Sequence, residues 1–501
     1  MTDASKCDEC GRWGADLQDN LFAKGGAGRR GVMPPVWHGD DVDATLPASL
    51  RRAEPCDLPS LSEPEVMRHY TRLSILNHHI ERGMYPLGSC TMKYNPRLNE
   101  RVAALPGFAT LHPEQDEADI QGLLCACKLL QDALCEITGF DACSLQPAAG
   151  AHGEFLGMLT IRAFHLANGD ADRLEVLIPD SAHGTNPASV VMAGMKPVTL
   201  ESRPDGRLDL DVLRAAAGPT TAGIMITNPN TLGLFETDIV EVARIVHEAG
   251  GRLYMDGANL NAILGKAKPA HMGFDVVHLN LHKTFSTPHG GGGPGAGPIC
   301  VVSELAPYLP GPEIVAADGV YGLVRDETEG RPSIHSFYGN IGVCLRALAY
   351  ILRLGGDGLT RVAERAVLNA NYLRVRLEGI LQVEHGDGCL HEFIASGVDW
   401  REKYGVRTLD IAKRLLDYGV HAPTIYFPLI VEEALMIEPT ETESKETLDA
   451  FVEIMRTIRR EAEEEPELLH QAPLVTPVSR LDEAGAARKP DLRWLGPCNC
   501  G

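Results

Sequence analysis

Lys283 stands between His282 and Thr284 in the stretch from Val277 to Gly297, VHLNLHKTFSTPHGGGGPGAG, around which the rest of the chain is arranged. The first half of this stretch alternates like the end of a strand. Thr284, Ser286, Thr287 and Pro288 follow the lysine, and then come six glycines within eight residues: Gly290, Gly291, Gly292, Gly293, Gly295 and Gly297. Ordering that much glycine costs considerable conformational entropy unless the backbone must take unusual angles or let something approach closely. The pattern predicts a lysine held in a pocket, where partial desolvation favours the neutral, nucleophilic amine that a Schiff-base lysine needs. A flexible glycine loop with a surface lysine is the competing reading of this stretch alone.

Sites upstream match the separate needs of pyridoxal 5'-phosphate. That cofactor is an electron sink only while its ring nitrogen stays protonated, and a buried carboxylate beside the nitrogen enforces protonation. Asp256 ends the run LYMD 27 residues before the lysine and fits this role, with Ala258 beside it. A phosphate wants backbone N–H groups at a helix N-terminus approached without side-chain obstruction. Ala149, Gly150 and Ala151, opening a helix, fit. His183 in PDSAHGTNPAS offers a flat partner for the ring, and Thr227 and Asn228 offer groups for its substituents. Singly these signals are weak, since an Asp before a Gly commonly caps a turn and a lone His is commonly a satisfied core residue. In the order small-residue turn, His, Asn, Asp, Lys, they match the aspartate-aminotransferase-like (fold type I) arrangement of pyridoxal enzymes.

The elements that must carry these residues alternate. A strongly apolar helix, IQGLLCACKLLQDALCEITG, ends at Gly139, and a short strand, the small-residue turn and a second helix follow. LEVLIPDSAHG and TAGIMITNPNTLG read as strands with polar tips, IVEVARIVHEAG as a helix closed by Gly250, and GRLYMDGANLNA as a strand ending at Asp256. Short apolar runs separated by helices imply a mainly parallel sheet covered on both faces, with ligands at the carboxyl ends of the strands. Residues 60–77 look helical, with Ser62 as N-cap and Pro64 in the first turn. From Ile341 two helical runs, VCLRALAYILRLGG and VAERAVLNANYLRVRLEGIL, precede strand candidates near Glu392–Ala395 and Thr424–Val431 and a charged helix over Ser444–Glu465. The expected division is an N-terminal arm and helical segment over 1–118, a large cofactor-binding domain over 119–340, and a small C-terminal α/β domain with a tail over 341–501.

Composition bounds the partners. The 501 residues suffice for about two or three domains. A net charge of −22 and the lack of a basic stripe argue against nucleic acid or an anionic membrane. No apolar run is long enough to span a bilayer, and Asp3, Asp8, Glu9, Asp16 and Asp19 in the first twenty residues speak against a secretory or transit segment, so a cytoplasmic protein is expected. Thirteen cysteines, an odd number with several in apolar helical runs, point to reduced thiols. Cys7 and Cys10 at one end and Cys498 and Cys500 at the other would form a zinc site only if the termini met, and no metal is expected from such separated pairs.

Beyond these single sites, the chain resembles the P-protein family of the glycine cleavage system from about Glu63 onward. The resemblance rests on RHYTRLS (68–74), YPLGSCTMKYNP (85–96), IPDSAHGTNPAS (178–189), TNPNTLGLFE (227–236), YMDGANLNA (254–262), NLHKTFSTPHGGGGPG (280–295), SFYGN (336–340), HAPTIYFPLIVEEALMIEPTETESK (421–445) and DEAGAARKP (482–490). It implies decarboxylation of glycine on pyridoxal 5'-phosphate, with transfer of the aminomethyl group to the lipoyl arm of an H-protein. By the same resemblance Lys283 is the Schiff-base lysine, Asp256 the partner of the ring nitrogen and His183 the stacking residue. His152, where Gln is expected, and the cysteine-bearing ends depart from the family. A single-chain member is about twice this length, so the chain corresponds to the lysine-bearing half and a companion chain is expected, giving a heterotetramer. The loop over 85–96 and His289 are candidates for holding the substrate carboxylate. The alternatives are a stand-alone pyridoxal-dependent decarboxylase or desulfurase, or a noncatalytic scaffold subunit, and Lys283 with Asp256 speaks against the last.

Overall fold

Seven strands form the central sheet of this computed structural model: β1 (Ala142–Ser144), β2 (Glu175–Pro179), β3 (Lys196–Leu200), β4 (Thr221–Thr227), β5 (Arg252–Gly257), β6 (Val276–Leu279) and β7 (Ile299–Val301). Their order is β1-β7-β6-β5-β4-β2-β3, with β7 antiparallel to both neighbours and the remaining pairings parallel. Every residue of β4 and β6 is buried, as expected of strands covered on both faces. Side chains alternate between two cores: Leu253, Met255 and Val277 join one with Leu123 and Leu130, while Tyr254 and Val276 join the other with Leu156 and Val190.

The structure describes residues 21–490, except 27, 32, 34, 37, 40–45, 55–57, 183, 290–294, 326–330 and 384, together with residue 492. The described cysteines Cys90, Cys125, Cys127, Cys135, Cys143, Cys300, Cys344 and Cys389 are free thiols, while Cys7, Cys10, Cys498 and Cys500 lie outside the described residues. Among the described residues no helix is long and apolar enough to cross a membrane.

Two compact units emerge, one from residues 80–470 and one from residues 1–79 with 471–501. In the larger unit, the Gln121–Thr138 helix stops at Gly139, whose left-handed φ of 83° few other residues tolerate. A hairpin, β8 (Glu313–Ala317) and β9 (Val320–Val324), precedes a second sheet of β10 (Gln382–Val383), β11 (Phe393–Ser396), β12 (Thr424–Ile425) and β13 (Ala434–Ile437), ordered β10-β11-β13-β12. The two helical runs expected after Ile341 lie within Ile341–Leu377 as two helices joined at a kink, where Gly355 is non-helical (φ 61°, ψ −176°). Before the break Val343 and Leu348 pack into the first core; beyond it Ala370, Leu373 and Leu377 pack with Trp400 and Phe451 under the second sheet. The strand expected over Thr424–Val431 ends at Ile425, and Pro428, lacking an N–H, could not have continued a ladder. β3, β7 and the β8–β9 hairpin carry no periodic signal long enough to have been read from the sequence.

In the smaller unit the Glu63–Leu76 helix begins as expected, with Ser62 N and Oγ both donating to Glu65 Oε2 at 2.8 Å.

The Gly150–Ala167 helix is what seats the site on the sheet. Residues 150, 153 and 157 share one face, and a Cβ added at Gly157 would fall 2.2 Å from the Tyr254 ring, at Gly153 2.9 Å from the His278 side chain. Replacing Gly157 by Ala should therefore force helix and sheet apart and cost about 1–3 kcal/mol, read as a lowered urea midpoint at unchanged slope. A midpoint equal to wild type would show that the close approach is not required.

Candidate functional site

Parallel register brings three polar side chains into one row at the carboxyl ends of adjacent strands. Thr227 on β4 pairs with Asp256 on β5, and Asp256 pairs with His278 on β6. Asp256 is 2% exposed; its Oδ1 accepts from the Ala258 N–H at 2.9 Å and lies 3.4 Å from His278 Nε2. Tyr254 OH meets the other His278 nitrogen at 2.7 Å, which fixes the ring's orientation. Asn186, its amide nitrogen turned toward the two carboxylates, lies 3.3 Å from both Asp256 Oδ2 and Glu154 Oε2.

Glu154 is a member of this set that the sequence reading missed. It is buried on the helix that opens at Gly150 and accepts from Thr185 Oγ1 at 2.8 Å and Ser189 Oγ at 3.0 Å, two hydroxyls one turn apart on the Thr185–Met192 helix. Burial, and then the Asp256 charge, push its carboxyl up to about 7, with the two hydroxyls pulling it back. A single acidic residue inside the apolar run AHGEFLGMLT was the available signal.

Past β6 the chain turns sharply and Lys283 comes to lie 9% exposed, its Nζ donating to the Ser89 carbonyl at 2.7 Å. Gly295 and Gly297 are the described part of the glycine run, and both serve close approach. A Cβ at Gly297 would sit 2.0 Å from the Ala149 carbonyl, and one at Gly295 2.7 Å from His282 Nδ1. Gly290, Gly291, Gly292 and Gly293 lie outside the described residues, as does His183.

The 85–96 loop proves to be the joint between the two sheets. Gly88 N donates to Met436 O on β13 and Thr424 Oγ1 donates to Gly88 O. Toward the lysine, His289 Nε2 donates to the Cys90 carbonyl at 3.0 Å and Ser286 Oγ donates to the Tyr94 carbonyl at 2.8 Å. Lys93 is buried and donates to Glu441 at 2.7 Å, to Asn261 at 2.9 Å and to the Thr284 carbonyl at 2.8 Å, beside Lys283 itself. Burial alone would drive the Lys93 ammonium down, but Glu441 and Tyr350 outweigh it and hold it above the usual lysine range. Burial, and then Lys283, push the His289 imidazole down to about 4, so it is neutral near pH 7.

Beneath the loop lie Glu392 and Glu438, both missed in the sequence. Glu392 accepts from Ser89 N at 2.7 Å; Glu438 accepts from Thr91 N at 2.8 Å and Thr91 Oγ1 at 2.6 Å. Burial raises both carboxyls, Glu438 to about 7, and the buried His391 ring beside them is pushed down to about 3.

The other expected residues are placed as follows. Ala149 is the N-cap and Gly150 the first residue of its helix, with Ala151 exposed. Thr227 Oγ1 is buried with no hydrogen-bond partner among the described residues. Asn228 is engaged, its Oδ1 accepting from Glu236 N at 3.0 Å. His152 Nδ1 is likewise buried and unpartnered among the described residues.

Sheet order, strand-end row and buried lysine define an aspartate-aminotransferase-like, fold type I architecture. A crystal structure titled glycine decarboxylase (P-protein) of the glycine cleavage system, in inhibitor-bound form, superposes with a TM-score of 0.70 over 84% of this chain and 95% of that one at 22% identity. The apo structure of a cysteine desulfurase from Thermococcus onnurineus NA1 gives 0.59 over 76% and 95% at 14% identity, so both speak for the fold. The family model for the glycine cleavage system P-protein matches residues 39–327, and that for the glycine dehydrogenase C-terminal domain matches residues 362–472. Proteins named probable glycine dehydrogenase (decarboxylating) subunit 2 are 56% identical in Bacillus licheniformis, over 95% of this chain and 99% of the relative, and 58% identical in Caldanaerobacter subterraneus subsp. tengcongensis, over 92% and 96%. The chain belongs to the P-protein family of the glycine cleavage system, among its subunit 2 members.

Glu154 has a consequence for pH. Its folded carboxyl titrates near 7 against 4.5 for the ordinary group, so the folded chain binds the proton more tightly. Its contribution to stability is full below about pH 4.5 and is lost as pH rises through about 7. Glu154→Gln removes that titration, and the variant's unfolding free energy should fall less between pH 5 and 8 than wild type's, by on the order of 2–3 kcal/mol. Parallel profiles for the two chains would contradict the assignment.

Proposed function

We propose that this chain is the lysine-bearing subunit of a glycine dehydrogenase (decarboxylating). It holds pyridoxal 5'-phosphate, releases the carboxyl group of glycine as carbon dioxide, and passes the aminomethyl group to the lipoyl arm of an H-protein. The observation that carries the reading is Lys283, nine-tenths buried just past the end of β6, next to the strand whose tip bears the buried Asp256.

The residues present fit the cofactor. Thr227 Oγ1, Asn280 Oδ1 and Thr287 Oγ1 are buried without partners among the described residues, which is what a polar ligand would satisfy. A Cβ at Gly150 would meet the Asn280 amide at 2.8 Å, so the glycine lets that amide lie against the helix start, and the helix has no side-chain cap. Its first amides, at Gly150 and Ala151, suit a phosphate. Bound there, the cofactor supplies a sink for the electron pair left when the carboxyl group departs.

The chain's own groups then divide the work. Lys283 offers the amine that bonds the cofactor and that substrate displaces. Asp256, kept in place by Ala258 N–H and beside His278, holds a proton at the ring nitrogen, with Glu154 and Asn186 behind it. His183 is assigned to the face of the ring, Thr227 to a ring substituent, and Asn228 to the wall, since its amide already accepts from Glu236. The 85–96 loop and His289 are assigned to the substrate carboxylate and to the exclusion of amino acids larger than glycine, through groups other than the Ser89 and Thr91 donors that Glu392 and Glu438 occupy. The relatives' names call them subunit 2, which supports a companion chain. So does the Glu63–Leu76 helix, none of whose residues is buried and whose Met67, Tyr70 and Ile75 are more than half exposed.

Borohydride reduction of the cofactor-loaded chain followed by peptide mapping should label Lys283, and Lys283→Ala should lose the cofactor's visible absorbance while keeping its circular dichroism. Label on another lysine would overturn the assignment. Exchange of labelled bicarbonate into glycine should require the companion subunit and the H-protein together, and full exchange by this chain with H-protein alone would refute the two-chain reading.

A further inference from the structure

Ser89 and Thr91 both lie in the left-handed region, at φ 59° and 48°, which costs a non-glycine residue about 1–2 kcal/mol. Something must hold such a turn in place, and two glutamates do. Glu392 accepts the Ser89 N–H at 2.7 Å, while Glu438 accepts both the N–H and the hydroxyl of Thr91, at 2.8 and 2.6 Å. Both carboxylates are themselves fully buried, flanking the edge where β11 and β13 pair, Phe393 opposite Ile437. A buried carboxyl group is retained at such a place only when its oxygens are occupied, and here the loop's donors, with the Asn259 amide at 3.3 Å on Glu392 Oε1, occupy them. On the same residue, one peptide group further along, the Ser89 carbonyl accepts the Lys283 amine at 2.7 Å. The carboxylates do not touch the lysine by hydrogen bond; they act on it through one rigid turn.

We propose that Glu392 and Glu438 are positioning residues for Lys283: by fixing the Ser89–Thr91 turn they present the Ser89 carbonyl as the resting acceptor of the lysine amine whenever that amine is not bonded to the cofactor. The inference rests on the reading of Lys283 as the cofactor-bearing lysine. A substrate amine that displaces the lysine leaves a long, flexible side chain that must be parked close by for the return step, and an acceptor of fixed position limits the rotamers it explores. Thr91 is fully buried, and Lys93 donates its backbone N–H to the Thr91 carbonyl at 2.9 Å, so the turn is braced from both ends.

The test uses the full chain stripped of cofactor. Competitive reductive methylation with isotopic formaldehyde, read by mass spectrometry, gives the reactivity of Lys283 relative to Lys196 and Lys266, which are surface references. Glu392→Ala should raise the relative labelling of Lys283 by about three- to tenfold, the worth of one hydrogen bond, and Glu392→Gln, which keeps an acceptor for Ser89 N–H, should restore it toward wild type. In the loaded enzyme the same Ala variant should slow return of Lys283 to the cofactor after substrate, with the cofactor's affinity little changed. If Glu392→Ala does not fold, Thr91→Val, which deletes only the hydroxyl contact to Glu438, should move Lys283 labelling in the same direction by a smaller factor. Unchanged relative labelling in whichever variant folds would overturn the proposal. Borohydride mapping of the loaded wild-type chain tests the underlying reading separately: label on another lysine sinks that reading, whereas label on Lys283 with unmoved methylation rates sinks only the positioning role.

Discussion

A lysine nitrogen nine-tenths buried at the edge of a sheet must have an acceptor, and the Ser89 carbonyl, 2.7 Å away, meets that need. Much of the architecture around it can be read as what this one contact demands. Ser89 has to arrive from a loop nearly 200 residues earlier, hold a left-handed backbone, and be backed by Glu392, 303 residues later in the chain. The loop's first residues pair with β13 and its later ones bond the segment that carries Lys283, so it ties the small sheet to the large one.

Charge is handled the same way at each buried position. Lys93 and Glu441 form an ion pair with side chains 1% and 6% exposed, and three neutral acceptors, on Asn261, Thr284 and Tyr350, share the lysine's remaining donors. Pairs of this kind contribute little net stability over an apolar replacement, yet breaking one by removing a partner is strongly destabilising. Their effect here is geometric: Lys93 reaches the carbonyl of Thr284, one residue past Lys283. On the other side of the site, Glu154 and Asp256 share the Asn186 amide, and burial with mutual repulsion raises the Glu154 carboxyl toward neutrality. Of the two carboxyl groups, it is Asp256 that lies beside His278 and accepts from the Ala258 N–H.

Close packing without side chains is the second constraint. The helix that opens at Gly150 can lie on β5 and β6 only because residues 153 and 157 have no Cβ, and Gly297 lets the returning strand pass the Ala149 carbonyl. These approaches bring the helix start, the Asp256 row and the lysine turn to one end of the sheet, the crevice where ligands bind in such folds.

What the sequence by itself determined was local and periodic. The buried strands β4, β5 and β6 were legible as short apolar runs, the Gln121–Thr138 helix by its apolar stripe and closing glycine, and Lys283, Asp256 and the Gly150 turn by their places at strand ends. Long, unusual runs such as YPLGSCTMKYNP carried the family. Tertiary structure alone decided which side chains meet. Glu392, Glu438 and Glu154 look like any acidic residue in a row of letters, because nothing local says that Ser89 will need an acceptor or that Thr185 and Ser189 will turn toward a carboxylate. The short strands β3 and β7 form because neighbours offer them an edge, not because their five and three residues prefer it. Contacts between residues hundreds of positions apart depend on the register of strands and the curvature of a sheet, and those follow from packing the whole chain at once rather than from any stretch of it.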